Sequence, residues 1–381
     1  MENAICNMKC KYCFGGYIDG HNGHTGKVAD FNPDILDKAL RRVAPDYAGG
    51  IKFWGGEPLA NYETLQKVVE YARAKFPYAH LILITNGSLL TKEKAKFFIK
   101  HKVSVNISHD GSGQSLRGKD FLIANSEQVE AIKLLKLNDC FGSFHIVLTS
   151  ESCDLDKQID YWTNVADNVI EFPVEVSWSI FRETDEWTKD FMPDINKHNE
   201  FLDYTFGQMA DSVTDRLHRP KVRFMFSTDQ DRALNYLLFG DKAEYPCATF
   251  ESLTVGLSGK EYRCVQDCER RSVVDSETYA ELMKKENFKL LPECDTCPVK
   301  NMCGGICAVL TDDQRRANCT NYINFYTYMK EYIEFDRHRT DLIAASMGAS
   351  PIEPAPARPE NVLTEKDVTI EECDCSATED K

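Results

Sequence analysis

The stretch IKFWGGEP, residues 51–58, decides the fold, because a short β-branched and aromatic run passes directly into a glycine turn. Similar short apolar runs, each closed by polar or glycine-containing residues, follow at 81–85, 103–108, 144–149 and 174–180. Runs of this length and composition, bounded by turn residues, are typical of strands. The sequence therefore predicts five strands between residues 50 and 180, the first of them at 51–54.

Helical patterns separate these strands. Apolar residues recur at spacings of three and four over 62–76, 92–101, 126–137 and 155–166, and Ser126 or Asn125 suits the cap of the third helix. Strands that alternate with helices in this way favour a parallel sheet with crossover helices. A further strand is expected before Cys6, within residues 1–5, and further helices are expected at 194–217 and 322–339.

Composition narrows the range of functions. The 381 residues carry 45 Lys and Arg against 60 Asp and Glu, a net charge of -15, which argues against a nucleic-acid partner. No apolar run reaches the roughly 18–20 residues that cross a bilayer, and residues 1–10 lack the cationic start of a secretion signal. We therefore expect a cytoplasmic protein without a membrane partner. Its fifteen cysteines favour metal ligation over disulfides in a reducing cytosol.

Three cysteines lie close together near the start of the chain. Cys6, Cys10 and Cys13 form a CxxxCxxC pattern, and three thiolates on one loop suit a cubane iron–sulfur cluster with one open iron. The amine and carboxylate of an amino acid can chelate that iron. A zinc site that takes His21 or His24 as its fourth ligand is the alternative.

Polar residues follow three of the predicted strands. Gly55 and Gly56 let the backbone approach a ligand, and Glu57 can accept a hydrogen bond from an ammonium group. Asn86 lies at the end of the second strand, and the sequence Ser-His-Asp-Gly, 108–111, ends the third. Barrel chemistry is found at the carboxyl ends of strands, although Asn-Gly and Asp-Gly are also ordinary turn formers.

These features resemble the radical S-adenosylmethionine (radical SAM) superfamily, with Tyr12 as the aromatic residue before the last cysteine of the triad. The resemblance implies a partial (β/α)6 TIM-like barrel over residues 1–225. It also implies a 4Fe–4S cluster on Cys6, Cys10 and Cys13 that cleaves S-adenosylmethionine to a 5'-deoxyadenosyl radical. The cofactor-binding residues that it implies are Tyr12, Gly55, Gly56, Glu57, Asn86, Ser108 and Asp110, with Glu57 at the methionine end and Ser108 and Asp110 near the ribose.

A second group of cysteines lies downstream. Its pattern of Gly259-x4-Cys264 and a later Cys-x2-Cys-x5-Cys-x3-Cys run resembles the SPASM domain, here over residues 240–325. The resemblance implies two auxiliary 4Fe–4S clusters, one on Cys294, Cys297, Cys303 and Cys319 and the other on Cys247, Cys264 and Cys307. Either Cys268 completes the second set, or one iron stays open to substrate. Two zinc sites are the alternative.

The resemblance implies an enzyme that modifies a peptide or protein substrate, with a flavodoxin or ferredoxin as one-electron donor. Auxiliary clusters favour oxidative modification, such as crosslinking or dehydrogenation. Val265, rather than an aspartate, follows Cys264, which disfavours oxidation of a sulfatase cysteine or serine. A radical SAM dehydrogenase of a small metabolite such as an amino sugar, and a zinc-stabilised binding protein without turnover, are the other hypotheses.

Some residues receive no role in chemistry. His109 and His145 are interpreted as core histidines, Trp162 and Trp178 as core aromatics, and no catalytic residue is assigned. A C-terminal helix is expected at 326–345. The acidic, proline-containing tail at 346–381, which includes Cys373 and Cys375, is expected to be disordered.

Overall fold

A parallel α/β sheet forms the centre of the computed structural model of the chain. The structure describes residues 5–13, 30–41, 43–122, 126–180, 190–214, 220–226, 236–237, 253–259, 261–262, 289–306 and 310–335. Its strands are β1 (Gly50–Phe53), β2 (His80–Thr85), β3 (Val103–Ser108), β4 (Phe141–Leu148), β5 (Val174–Ile180), β6 (Val222–Phe226), β7 (Thr254–Val255) and β8 (Glu261–Tyr262). Its helices are α1 (Pro33–Ala39), α2 (Tyr62–Lys75), α3 (Lys92–Lys100), α4 (Glu127–Leu137), α5 (Leu155–Asn164), α6 (Ile195–Thr214), α7 (Lys300–Cys303) and α8 (Asp312–Phe335).

The sheet has six strands in the order β1-β2-β3-β4-β5-β6, and each neighbouring pair is parallel. A parallel neighbour requires a crossover, and α2 to α6 provide one between each pair of successive strands. All carboxyl ends therefore meet at one edge of the sheet. The short strands β7 and β8 form a separate antiparallel hairpin.

The two faces of the sheet differ in polarity. On β3, Val103, Val105 and Ile107 are fully buried in the core, whereas Ser104 and Asn106 point to the other face and are partly exposed. The same alternation continues on β4 and β5. Because successive strand residues point to opposite faces, the apolar set packs against the helices and leaves a polar inner face.

The long helix α8 joins the cysteine-rich region to the barrel. Its Phe325 packs against His198 of α6 in a tilted arrangement, with 5.1 Å between ring centroids, and Tyr328 donates a hydrogen bond of 2.9 Å to Asp203. Residues from α7, α8 and the strands belong to one continuous apolar core. Of the cysteines that precede α8, Cys303 belongs to this core and Cys297 packs against it.

The α/β class and the five predicted strands are confirmed. The prediction did not assign β6, a segment of only five residues that follows Pro220 and Lys221. The last long helix begins at Asp312 rather than at residue 322. Thr311 and Gln314 form a capping box there. Gln314 N donates to the Thr311 side chain (Oγ1) at 3.3 Å, and Thr311 N donates to the Gln314 side chain (Oε1) at 3.0 Å.

Other predictions lie outside the described residues. They include most of the strand expected at 1–5, the acidic tail at 346–381, and the last part of the helix expected at 326–345. Among the helices that the structure describes, none combines the length and apolar character needed to span a membrane.

Candidate functional site

The loop with the first three cysteines lies above the carboxyl ends of β1 and β2. Glu57 N donates to the carbonyl oxygen of Ile5 at 2.8 Å, and Asn86 Nδ2 donates to Asn7 Oδ1 at 2.9 Å. Glu57 follows β1 and Asn86 follows β2, so residues far apart in the sequence hold the loop in place. The structure thus brings the predicted cluster loop to the predicted cofactor residues.

The cysteine thiols of this loop are neighbours in a desolvated environment. Burial, with a smaller contribution from the nearby Cys13, raises the pKa of Cys6 to about 11 and that of Cys10 to about 12. Met8 N lies 3.4 Å from Cys6 Sγ and is placed to donate to it. Thiolates in such a site need positive charge beside them, which bound iron supplies, so the donor set fits an iron–sulfur cluster.

Within the described residues, no group of three or more His, Cys, Asp or Glu side chains lies close enough to ligate one metal ion. A cubane binds each thiolate to a different iron atom, so its ligands need not converge on a single point.

Glu57 is fully buried and anchors the end of β1. Its Oε1 accepts hydrogen bonds from Thr85 Oγ1 at 2.6 Å and Leu59 N at 2.9 Å, and its Oε2 accepts one from Asn86 N at 2.6 Å. Burial raises the pKa of this carboxyl group, and these bonds oppose the rise. The preceding Gly55 and Gly56 have φ values of 115° and 49°, which favour glycine and bring the backbone close to the loop.

Tyr12 belongs to a buried group that the sequence did not predict. Its hydroxyl bonds to Asp110 and accepts a hydrogen bond from Arg117 Nη1 at 2.9 Å. Arg117 Nη1 also lies 3.8 Å from Asp110 Oδ1. Lys11 N donates to Leu116 O at 2.8 Å, and the ring of Tyr12 packs on Leu116. These contacts attach the cysteine loop to the short 3-10 helix Gly111–Leu116 that follows β3.

Arg117 is the functional candidate that sequence reasoning missed. Burial alone would lower the pKa of its guanidinium, but Tyr12, Asp110 and Cys10 raise it well above its usual range. Asp110 is also fully buried, and burial raises its pKa against the effect of Arg117. A lone arginine after a turn has no sequence pattern that marks it as buried, so only the contacts reveal it.

His145 lies on the polar inner face beside Ser108, its partner in the sheet register. Its Nδ1 is 2.9 Å from Ser177 Oγ, and its Nε2 is 3.1 Å from Ser179 Oγ. Ser177 donates its proton to Phe144 O, so its oxygen accepts from Nδ1–H and leaves Nε2 as the acceptor for Ser179. Burial lowers the pKa of His145 to about 4, and the charge of Arg117 acts in the same direction.

His109 points away from this face. It is fully buried, its Nε2 is 3.1 Å from Asp120 Oδ1, and its Nδ1 accepts from Gly111 N at 3.1 Å. These bonds account for both ring nitrogens, as expected of a core histidine. Trp162 and Trp178 are likewise fully buried in the helix-facing core.

A cavity collects four cysteines of the downstream group. Cys294, Cys297, Cys303 and Cys319 line it together with apolar residues, around about 410 Å³ of space that is partly open to solvent. They come from the 3-10 helix Pro292–Asp295 and its following turn, the end of α7 and the middle of α8. Burial, together with smaller contributions from the other three thiols, raises the pKa of Cys319 to about 11. This donor set also fits an iron–sulfur cluster.

The remaining predicted ligands lie outside the described residues. They are Cys247, Cys264, Cys268 and Cys307. Gly259, which precedes Cys264, lies in the turn between β7 and β8 at a φ of 81°.

Comparisons with known proteins agree with this geometry. Residues 3–152 match the family model of the Radical SAM superfamily. The radical SAM cyclopropyl synthase TigE of Paramaledivibacter caminithermalis is 25% identical over 221 residues, which cover 52% of this chain and 44% of that protein. The chain thus matches less than half the length of this relative. A cysteine-type anaerobic sulfatase-maturating enzyme of Clostridium perfringens is 25% identical over 356 residues, or 85% of this chain and 93% of that enzyme.

A solved structure shares the fold. The native protein anSMEcpe with bound AdoMet has a TM-score of 0.63 at 20% identity, over 91% of this chain and 98% of that chain. The same protein has also been solved with AdoMet and the Cp18Cys peptide. The fold and the site together define an α/β enzyme that uses an iron–sulfur cluster. Residues 3–152 thus resemble the Radical SAM superfamily, and the cysteine-rich region follows them in the chain.

Proposed function

We propose that this enzyme cleaves S-adenosylmethionine reductively and uses the resulting 5'-deoxyadenosyl radical to abstract hydrogen from a residue of a peptide or protein. The observation that supports this function best is the cysteine loop held over Glu57, Asn86 and the start of the 3-10 helix. The barrel takes residues 1–225 and the auxiliary unit residues 240–325.

The cofactor lies at the carboxyl ends of the strands. Cys6, Cys10 and Cys13 would hold the cluster, which would supply the electron that breaks the carbon–sulfur bond. Glu57 accepts from the ammonium group of the methionine end, and Gly55 and Gly56 allow its close approach. Ser108 and Asp110 lie towards the ribose, with Asn86 and Tyr12 supporting the loop.

Auxiliary clusters would accept the electron that the substrate radical loses. Cys294, Cys297, Cys303 and Cys319 ligate one of them, in the cavity that they line. The other uses Cys247, Cys264 and Cys307. A cytoplasmic one-electron donor, such as a flavodoxin or ferredoxin, reduces the cluster on the first loop.

The substrate is a peptide or protein segment. Relatives of this chain are named for a sulfatase-maturating activity and a cyclopropyl synthase activity, and the solved anSMEcpe has been obtained with a bound peptide. The polar inner face, with hydroxyl groups from Ser108, Ser177 and Ser179, offers hydrogen bonds to such a substrate. Val265 after Cys264 points to oxidation of a residue other than a sulfatase cysteine or serine.

The test is anaerobic reconstitution with iron and sulfide, followed by dithionite and S-adenosylmethionine. We expect 5'-deoxyadenosine from the wild-type enzyme and none above background from Cys10→Ala. A pool of synthetic peptides with deuterated side chains then reports the substrate class through deuterium transfer into 5'-deoxyadenosine. An iron-loaded enzyme that releases no 5'-deoxyadenosine would contradict the proposed function.

A further inference from the structure

Arg315 is a buried cation in the wall of the downstream cavity, which it lines together with Cys294, Cys297, Cys303 and Cys319. Only 11% of its side chain is exposed. Apart from these cysteines, the described residues of the wall are mainly apolar. An arginine keeps its positive charge in proteins, and a charge is rarely buried in apolar surroundings. The wall therefore adds a permanent positive charge to the four thiols.

The helix α8 fixes the direction of this side chain. Arg315, Cys319 and Ile323 follow one another at intervals of four residues, so they share one face of the helix, and all three line the cavity. The next residue, Arg316, lies on the solvent side, where 46% of its side chain is exposed and it pairs with Glu293. Two successive arginines of α8 thus differ in environment, and Arg315 is the one that belongs to the wall.

Two contacts hold the guanidinium of Arg315. Its Nη1 donates to Lys289 O at 3.0 Å, and its Nη2 pairs with Asp312 one turn earlier on α8. The Asp312 side chain is 62% exposed, so water screens its negative charge more than it screens the buried arginine. Lys300, the other cation in the described part of the wall, is 37% exposed and pairs with Asp295. Arg315 is therefore the cation that acts most directly on the cavity.

A fixed positive charge has a specific effect on an iron–sulfur cluster. Four thiolates give a 4Fe–4S cluster a net negative charge, and one-electron reduction increases that charge. A nearby cation stabilises the reduced form more than the oxidised form, so it raises the reduction potential. In the proposed reaction the substrate radical loses one electron to the cluster and one proton to water. A higher potential favours this electron transfer.

We infer that Arg315 raises the reduction potential of the auxiliary cluster on Cys294, Cys297, Cys303 and Cys319, through the permanent charge that α8 holds in the cavity wall. The inference rests on the proposed function and deepens it, because it assigns the electron affinity of this cluster to a residue that is not a ligand. Arg315 acts through the cluster and not on the substrate.

The experiment is a redox titration of the reconstituted holoenzyme, followed by EPR of the reduced clusters. The signal that Cys303→Ala lacks identifies the cluster of this cavity. At the wild-type midpoint potential, we expect the ratio of reduced to oxidised cluster in Arg315→Gln to be at least about tenfold lower, since a unit charge in a poorly solvated site shifts an equilibrium by that much. For one electron, tenfold corresponds to a midpoint about 59 mV lower.

Two further variants separate the effect of charge from structural damage. Arg316→Gln removes the same charge from the solvent side of the same helix, and it should change the ratio less than about twofold. Arg315→Lys keeps the charge in the wall without the fork, and its midpoint should lie closer to the wild type than that of Arg315→Gln. If Arg315→Gln does not retain this cluster, retention in Arg315→Lys supports the role of charge, and loss in both variants overturns it.

The outcomes are distinct. A ratio in Arg315→Gln within about twofold of the wild type, or equal shifts in Arg315→Gln and Arg316→Gln, would overturn the assignment of Arg315 alone. A wild-type holoenzyme without any EPR signal that depends on Cys303 would instead contradict the auxiliary cluster of the proposed function.

Discussion

Buried charges at single residues distinguish the site from the rest of the core. Glu57 and Asp110 are almost completely excluded from solvent, and each is surrounded by donors. A buried carboxylate without such partners would cost several kcal/mol or take up a proton. The site therefore combines desolvation with fixed hydrogen bonds, which is the environment that strengthens electrostatic contacts with a bound ligand.

His198 allows a test of burial at the residue scale. Burial lowers its pKa from 6.5 to about 3, because the ring lies between Trp178 and Phe325. As pH falls below 6.5 the unfolded chain takes up a proton that the folded chain refuses, so stability is lost. Between pH 7 and pH 5 the wild type should lose about 2 kcal/mol more than His198→Phe, measured by urea unfolding of the holoenzyme. An identical pH dependence of the two proteins would contradict this expectation.

The 3-10 helix Gly111–Leu116 is the element that connects the sheet to the cysteine loop. It begins at Gly111, shortly after β3 ends at Ser108, and Arg117 follows its last residue. The carbonyl oxygen of Leu116 accepts a hydrogen bond from Lys11 N. Gln158 from α5 donates to the carbonyl oxygen of Asp110 at 2.9 Å and fixes the start of this element. The position of the guanidinium thus depends on how a short segment packs on α5 and on the end of β4.

Gly113 tests the packing of this element. A Cβ atom there would lie 2.6 Å from Cβ and 3.0 Å from Cα of Ser152, so Gly113→Ala must displace backbone. We expect a loss of about 1–3 kcal/mol in the free energy of unfolding, together with weaker binding of S-adenosylmethionine. Gly50→Ala is the matched control, because its nearest new contact is Ile82 Cδ1 at 3.7 Å. If Gly113→Ala and Gly50→Ala had the same free energy of unfolding, the segment would accommodate the added methyl group without loss of stability, which would contradict this expectation.

At the scale of the whole molecule, the cysteine-rich region and the barrel share one apolar core. Met302 and Cys303 from α7 and Phe325 from α8 are part of the same cluster as the strand residues. A ligand lost from the downstream cavity should therefore affect the stability of the whole chain, because metal binding and folding are coupled.

Cys303→Ala tests this coupling. Loss of one cluster should lower the iron content by about four atoms per chain and lower the melting temperature. The thiol of Cys303 lies 3.3 Å from Ile306 N in the downstream cavity, whereas Cys153, which is also buried, lies just before α5 and is remote from both cysteine groups in sequence. Cys153→Ala should keep the iron content of the wild type. Unchanged iron in Cys303→Ala would exclude this residue as a ligand.

Local sequence patterns predicted most elements of the barrel, since strand and helix periodicity are properties of short windows. They were less successful at boundaries. The five-residue strand β6 was not assigned although Pro220 precedes it, and the start of α8 was missed although the Thr311 and Gln314 capping box is visible in the sequence. A capping box is a specific signal only when the helix that follows it is recognised.

Sequence alone determined the parallel α/β class, the two groups of cysteines and the polar residues that end β1, β2 and β3. These features depend on residue type and short-range spacing. The tertiary structure decided which face His145 occupies and which side chains meet Tyr12, since Arg117 is 105 residues away from it along the chain. Contacts over such distances arise from packing of the complete core, and no spacing pattern in the sequence records them.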